Sequence, residues 1–389
     1  MSLELLFADE ACAALMSDEK LLGAMARFEG ALARASARHG LVPAAHAQTI
    51  SRVCERARFD PAALAREGRA GTLVIPFVKQ LTAQVAAQSL EAARHVHSGA
   101  TSQDVIDTAA VLCLKPACAR VAELAVRLGD AAAALARRHK ETRTSARTLL
   151  QPALPVTFGW KAAVWLSVLT RSLPALRSAS AAACTLQFGG PSGTLSSFAD
   201  HGEAVMATLA EELELPASFV PWHSARDRFA RLGAELAILA GASGKIGRDV
   251  SLLMQPEVGE ASEGAQAGRG GSSSMPHKRN PALSMLALEA AHRAPGLAAT
   301  LLAQLAPEHE RGLGQWQSQW FTLRSLACDT ASGTAAMAEA LEGLEVNEKA
   351  MRANLESLLK GHERESVGAA GAMVERALAD WITSRGTAP

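Results

Sequence analysis

The segment Gly270-Gly271-Ser272-Ser273-Ser274-Met275-Pro276-His277-Lys278-Arg279-Asn280-Pro281 gathers groups suited to one kind of chemistry. Glycines give a pliable backbone and the serines offer hydroxyls and amide donors. Lys278 is a cation, Asn280 an orienting amide, and Pro281 a natural start for a helix. Amides, a cation and a helix N-terminus together suit a carboxylate, or the enolate left when a proton departs from the carbon beside it. A second segment, His97-Ser98-Gly99-Ala100-Thr101-Ser102-Gln103-Asp104, sets the hydroxyls of Thr101 and Ser102 ahead of a helix beginning near Asp104, which could cap it. His95 and His97 have the spacing of a metal pair, but no third ligand matches it. No metal and no other cofactor is expected.

Positioning such loops calls for rigid elements, and the pattern between them is helical. Residues 18–39 place Leu21, Leu22, Met25, Phe28, Leu32 and Ala35 at three- and four-residue steps, with Asp18 as the expected N-cap and Gly40 as the stop. Similar stretches cover 105–140, 155–184, 225–254, 282–305 and 316–343. Their alanine content favours helix and close helix–helix approach. Thr72–Val78 is the one short strand candidate, broken by Pro76. The reading is an all-α bundle of long helices, with an N-terminal helical part (1–104), a central bundle (105–345) and a short C-terminal segment (346–389). Helices of about 30 residues run about 45 Å, and apolar residues around much of their circumference call for burial against further copies of the chain. Breaks fall at 95–104, 145–155, 188–194, 215–223 and 255–281.

Composition bounds the partners. The 389 residues carry 39 Lys+Arg against 39 Asp+Glu, so neither nucleic acid nor an acidic membrane surface is an expected partner. The six cysteines form no CxxC pair and read as small buried hydrophobes. Acidic residues near the N-terminus and the lack of a long apolar run suggest a soluble, cytoplasmic protein. With no tyrosine in the chain, proton transfer falls to His, Lys, Ser, Cys or carboxylates.

The run GSSSMPHKRNP resembles the signature of the fumarase/aspartase superfamily, and the 97–104 block and Arg147-Thr148-Leu149-Leu150-Gln151 agree with it in order and separation. The resemblance, covering roughly residues 10–345, implies a homotetrameric all-α bundle whose active sites form where segments of three subunits meet. It implies Ser272 as the proton-transferring residue, with Lys278 and Asn280 holding the carboxylate that becomes the enolate. Thr101, Ser102, Thr148 and Gln151 would bind substrate carboxylates, with His97 in the family's substrate-contacting position.

Many members carry Thr-His-x-Gln where this chain has Thr148-Leu149-Leu150-Gln151, and that histidine is assigned to protonating the leaving group. A leaving amine needs a proton; a leaving carboxylate, whose conjugate acid has a pKa near ~4, does not. The chain is accordingly similar to the muconate-lactonising branch of the superfamily. Stretches 148–159, 187–194, 221–228, 254–260, 308–311 and 316–320 resemble that branch as well. The implied substrate is a small tricarboxylate, for which Arg226, Arg228 and Arg279 are candidate extra cations, each equally able to form a structural salt bridge. The rivals are a fumarate-releasing lyase such as adenylosuccinate lyase, and a structural paralogue without activity. Past about residue 345 the chain is shorter than the C-terminal helical region of many members.

Overall fold

Alanine-rich apolar stripes become helices whose ends lie within a few residues of those the periodicity marks. The computed structural model describes residues 9–218, 220–265, 269–271, 274–275 and 278–386. The chain opens with α1 (Glu10–Leu15), α2 (Asp18–Arg38), α3 (Ala44–Arg56), α4 (Pro61–Glu67), α5 (Val74–Ala86) and α6 (Leu90–Ala93). The bundle follows as α7 (Ser102–Arg138), α8 (Phe158–Ala183), α9 (Gly202–Leu213), α10 (Asp227–Leu253), α11 (Ala282–Leu302) and α12 (Gln315–Glu342). Two helices close the chain, α13 (Glu348–Leu358) and α14 (Ala370–Arg385). Two small antiparallel pairs join β1 (Arg143–Thr148) to β2 (Gln151–Thr157) and β3 (Ala261–Ser262) to β4 (Glu345–Val346).

Local chemistry sets the helix starts. Ser17, not Asp18, caps α2: its hydroxyl accepts from the Lys20 amide at 3.2 Å, leaving Asp18 as a first-turn acid favourable to the helix dipole. Thr101 is the N-cap of α7, and the Asp104 carboxylate accepts the Thr101 amide at 3.0 Å. Within the bundle, a methyl added at Gly244 would come within 2.3 Å of Ala291 Cβ, and one at Gly333 within 2.9 Å of Ala290 Cβ. Helices α10, α11 and α12 therefore approach as closely as small residues allow. One buried apolar cluster runs from Cys12 to Trp381. Ile238, Met285 and Phe321 nonetheless stand half or more exposed on α10, α11 and α12.

One expectation fails. Thr72–Val78 is not a strand but the entry to α5. Pro76 sits at the third helical position, where no intrahelical amide bond is needed, so the ring is tolerated. The break in the helical pattern expected at 145–155 is present and takes the form of a hairpin, with Thr148 opposite Gln151 and a register shift between Ser145 and Arg147. Its two turn residues, Leu149 (φ 52°) and Leu150 (φ 65°), are both left-handed, as a two-residue type I′ turn requires.

The C-terminal segment is docked, not free. Helix α14 packs on α7 and α8 through buried Trp381, whose indole donates to Asp130 at 2.8 Å while Arg385 bonds both carboxylate oxygens of Asp130. Among the described residues no helix is long and apolar enough to cross a membrane.

Candidate active site

The residues singled out by sequence fall into three groups. The first gathers at the N-terminal end of α7. Asp104, fully buried, accepts from the Gly189 amide (3.0 Å), the Gly190 amide (2.9 Å) and His223 Nε2 (2.7 Å), besides the Thr101 amide. Gln103 donates to the His223 carbonyl at 2.9 Å and accepts from Arg311 Nε at 3.1 Å; Arg311 also reaches the Pro191 carbonyl at 3.2 Å. The stretches 187–194, 221–228 and 308–311 therefore converge on the 97–104 loop, in which Thr101 and Ser102 are both half-buried. His223 orients this loop.

His97 completes this group. Its backbone is left-handed (φ 59°), and both its amide and its ring are bound by Glu29 of α2: Oε2 accepts the amide at 3.1 Å and Oε1 contacts Nδ1 at 2.6 Å. Burial alone would push the imidazole pKa down, but the hydrogen bond and charge of Glu29, with Asp104 behind it, outweigh burial and raise the pKa above its ordinary value.

Arg226 is not a substrate cation in this arrangement. It is buried, paired bidentately with Asp107 at 2.6 and 3.0 Å, bonded to Gln319, and stacked on Trp222 and Phe229. A desolvated guanidinium takes the nearest carboxylate and aromatic faces, and Asp107, one turn along α7 from the loop, supplies the charge. Arg228 also turns away, bonding the Ala182 carbonyl (2.8 Å) and the Thr185 hydroxyl (3.3 Å) at the C-terminal end of α8, where carbonyls are left open.

The second group is the hairpin tip. Thr148 and Gln151 are exposed beside Leu149, which is 97% exposed. The hairpin is clamped at its root by Glu260, fully buried, which accepts from Arg147 at 2.7 and 3.0 Å, from Thr144 at 3.1 Å and from Asn354 at 2.9 Å. Burial raises the Glu260 pKa, but the bonds from Arg147, Asn354 and Thr144 prevail and hold it below the ordinary carboxylate value.

The third group is the base of the glycine–serine loop. Ser272 and His277 lie outside the described residues. Asn280 closes the loop: its amide donates to the Gly270 carbonyl at 2.8 Å and its side chain to the Gly271 carbonyl at 3.4 Å. Gly270 is left-handed (φ 70°), and a Cβ there would lie 2.6 Å from the Asn280 carbonyl oxygen, so only glycine fits. Lys278 is exposed, its amide bonded to the Met275 carbonyl at 3.0 Å. Arg279 is committed to structure, bonding the Glu263 carbonyl at 2.7 Å with Glu345 at 3.6 Å. The N-terminus of α11, expected to seat a substrate carboxylate, is filled by the protein's own Glu263. That buried side chain accepts the Leu283 amide at 3.1 Å and the Ser284 amide at 2.7 Å.

Among the described residues, the first group does not meet the other two within one chain. The first lies where α7 begins; the hairpin follows where α7 ends, 37 residues later, about 55 Å along a helix at 1.5 Å per residue. The loop base lies at the hairpin end, where Glu260 and Glu263 stand three residues apart. Among the described residues no group of three His, Cys, Asp or Glu side chains could hold a metal ion. Glu29 and Asp107 carry no motif signal, whereas Glu260 closes the 254–260 stretch. Each is an acidic residue on or beside an apolar helix stripe, and that mismatch is the one sign of a buried role. Arg311 is the basic member of the 308–311 stretch.

A family model described as "Lyase" matches residues 9–296. The 3-carboxy-cis,cis-muconate cycloisomerase of Bradyrhizobium diazoefficiens is 50% identical over 345 residues, covering 88% of this chain and 76% of that protein. The nitrosuccinate lyase of Streptomyces davaonensis is 42% identical over 354 residues, covering 88% and 74%. The crystal structure of the 3-carboxy-cis,cis-muconate lactonizing enzyme from Pseudomonas putida superposes with a TM-score of 0.87 at 38% identity, over 97% of this chain and 86% of that one. Matched over most of its length both by that model and by relatives of this identity, the chain belongs to the lyase family, the fumarase/aspartase superfamily.

Proposed function

We propose that the protein is a cycloisomerase converting 3-carboxy-cis,cis-muconate to its γ-lactone, 4-carboxymuconolactone, in aromatic catabolism. One substrate carboxylate oxygen forms the ring C–O bond. The π pair of the attacked double bond moves to the carbon beside another carboxylate, and a proton joins that carbon. As free acids substrate and product are isomers; with the carboxylates ionised, the trianion takes up one proton, drawn from solvent through the proton donor, and becomes a dianion. Charge builds on the carboxylate next to the protonated carbon, and a cation at ~4 Å is worth roughly 4 kcal/mol at an effective dielectric near 20. Lys278 and Asn280 are assigned to that carboxylate and Ser272 to the proton. Thr101, Ser102, Thr148, Gln151 and His97 are assigned to the remaining carboxylates.

The observation that carries this reading is Leu149. It stands at the hairpin tip, 97% exposed, in the place where amine-releasing members carry an acid. An apolar tip suits a reaction whose nucleophile or leaving group is a carboxylate. The separation of the first group from the other two along α7 supports a site built from several chains, and we assign a homotetramer. A cytoplasmic location is part of the same reading, supported by free thiols at all six cysteines.

The test is the ultraviolet absorbance of 3-carboxymuconate incubated with purified protein and no added metal. Loss of the diene signal is expected, and Ser272→Ala should remove most of the activity while leaving the oligomer intact. A diene signal that persists with the wild-type protein would refute the assignment.

A further inference from the structure

Glu29 is a buried carboxylate with one partner. Its side chain is 1% exposed, and its bonds run to the amide and the ring of His97. No lysine or arginine touches it among the described residues. A buried carboxylate calls for a counter-charge beside it, and His97 is the one titratable cation bonded to Glu29 among the described residues. The geometry favours the imidazolium. A 2.6 Å contact is short for a charge-assisted N–H···O bond, and the second oxygen is already satisfied by the His97 amide. The double contact also fixes the backbone at φ 59°, a conformation a histidine seldom adopts without such support. Nδ1 being taken, Nε2 is the ring nitrogen left for a ligand, and the His97 side chain keeps 20% of its surface exposed.

The other charged groups around His97 act with the same sign or are engaged elsewhere. Asp104 of α7 adds its negative charge through space. His223 is bonded to Asp104, and His95 stacks on His46 of α3 with ring centroids 5.3 Å apart.

We propose that Glu29 is a positioning residue that keeps His97 an imidazolium across neutral pH, and that Nε2 of this fixed cation receives one substrate carboxylate. The role rests on the tricarboxylate reading above. It makes His97 a permanent charge and not an acid–base group, leaving proton transfer to the glycine–serine loop. Cationic help for a triply charged substrate then comes from His97 and Lys278, the three arginines being committed to structure.

The substrate-free wild-type protein, labelled with ¹⁵N-histidine and assigned with His97→Gln, tests the charge by NMR. The His97 ring should show the imidazolium signature at pH 7.5; a neutral tautomer at that pH would overturn the proposal. Kinetics test the consequence. In Glu29→Gln the carboxylate is gone, so KM should rise about tenfold at pH 7.5, the loss of one charge-assisted bond. It should fall back towards wild type near about pH 5.5, below the ordinary histidine value. Glu29→Asp should keep the wild-type pH profile. A purely structural role would raise KM equally at every pH, and that parallel shift would refute the proposal. Because the NMR measurement needs no substrate, a protein inert towards carboxymuconate would refute the substrate reading while leaving the charge state of His97 separately measured.

Discussion

Arg147 acts through Glu260. It stands next to Thr148, but its guanidinium points to the hairpin root, where it neutralises a carboxylate with no exposed surface. Removing one member of such a pair strands the other, so Arg147→Ala should destabilise the fold by about 3–5 kcal/mol in a denaturant melt. The pH dependence follows from the lowered Glu260 pKa. A carboxylate whose folded pKa lies below its unfolded value contributes stability that is fully present above the unfolded value, near about 4.3, and is lost as pH falls through the folded value. The gap between wild type and Arg147→Ala should therefore be widest at neutral pH and narrow progressively as pH falls below about 4.3; a constant gap would mean the pair is not the cause. At this scale the sequence was readable where a residue sat in a motif and misleading where it merely sat near one. Arg226 lies within the 221–228 stretch yet serves Asp107. Glu29 looks like a polar interruption of an apolar stripe, because burial and long-range pairing leave no local pattern.

Among the elements, helix α14 and the hairpin carry different lessons. Trp381 anchors α14 against Gly129, where an added Cβ would lie 2.1 Å from the indole, and it hydrogen-bonds Asp130. Trp381→Ala should cost about 3–5 kcal/mol and expose residues 370–385 to amide hydrogen exchange ahead of the rest of the protein. Exchange at the global rate would show that Trp381 does not hold the helix. The long helices were legible because three- and four-residue apolar spacing and alanine survive any tertiary context. The hairpin was not, since Leu149-Leu150 is a poor type I′ sequence and Pro152 and Pro155 argue against a paired strand. Its pairing is imposed by Glu260 and Asn354 from other parts of the chain, and Thr72–Val78 was misread for the converse reason: β-branched residues can open a helix when its first turn tolerates a proline.

For the whole molecule, the long bundle helices settle where chemistry can occur. One chain presents Thr101, Ser102 and His97 at one end of α7, and Thr148, Gln151 and the loop base at the other. Exposed apolar residues on α10, α11 and α12 leave faces available to neighbouring copies, which could bring unlike ends together. The most direct test is complementation: a Ser102→Ala/Thr101→Val variant and a Thr148→Val/Gln151→Ala variant, each inactive alone, are refolded together and assayed for loss of the carboxymuconate diene. If each site draws its two groups from different chains, about a quarter of the sites in a random mixture carry neither lesion. Activity should then return to roughly that fraction of wild type. Mixed oligomers that form yet stay inactive, beside an active wild type, would place the whole site in one chain and contradict the shared-site assignment.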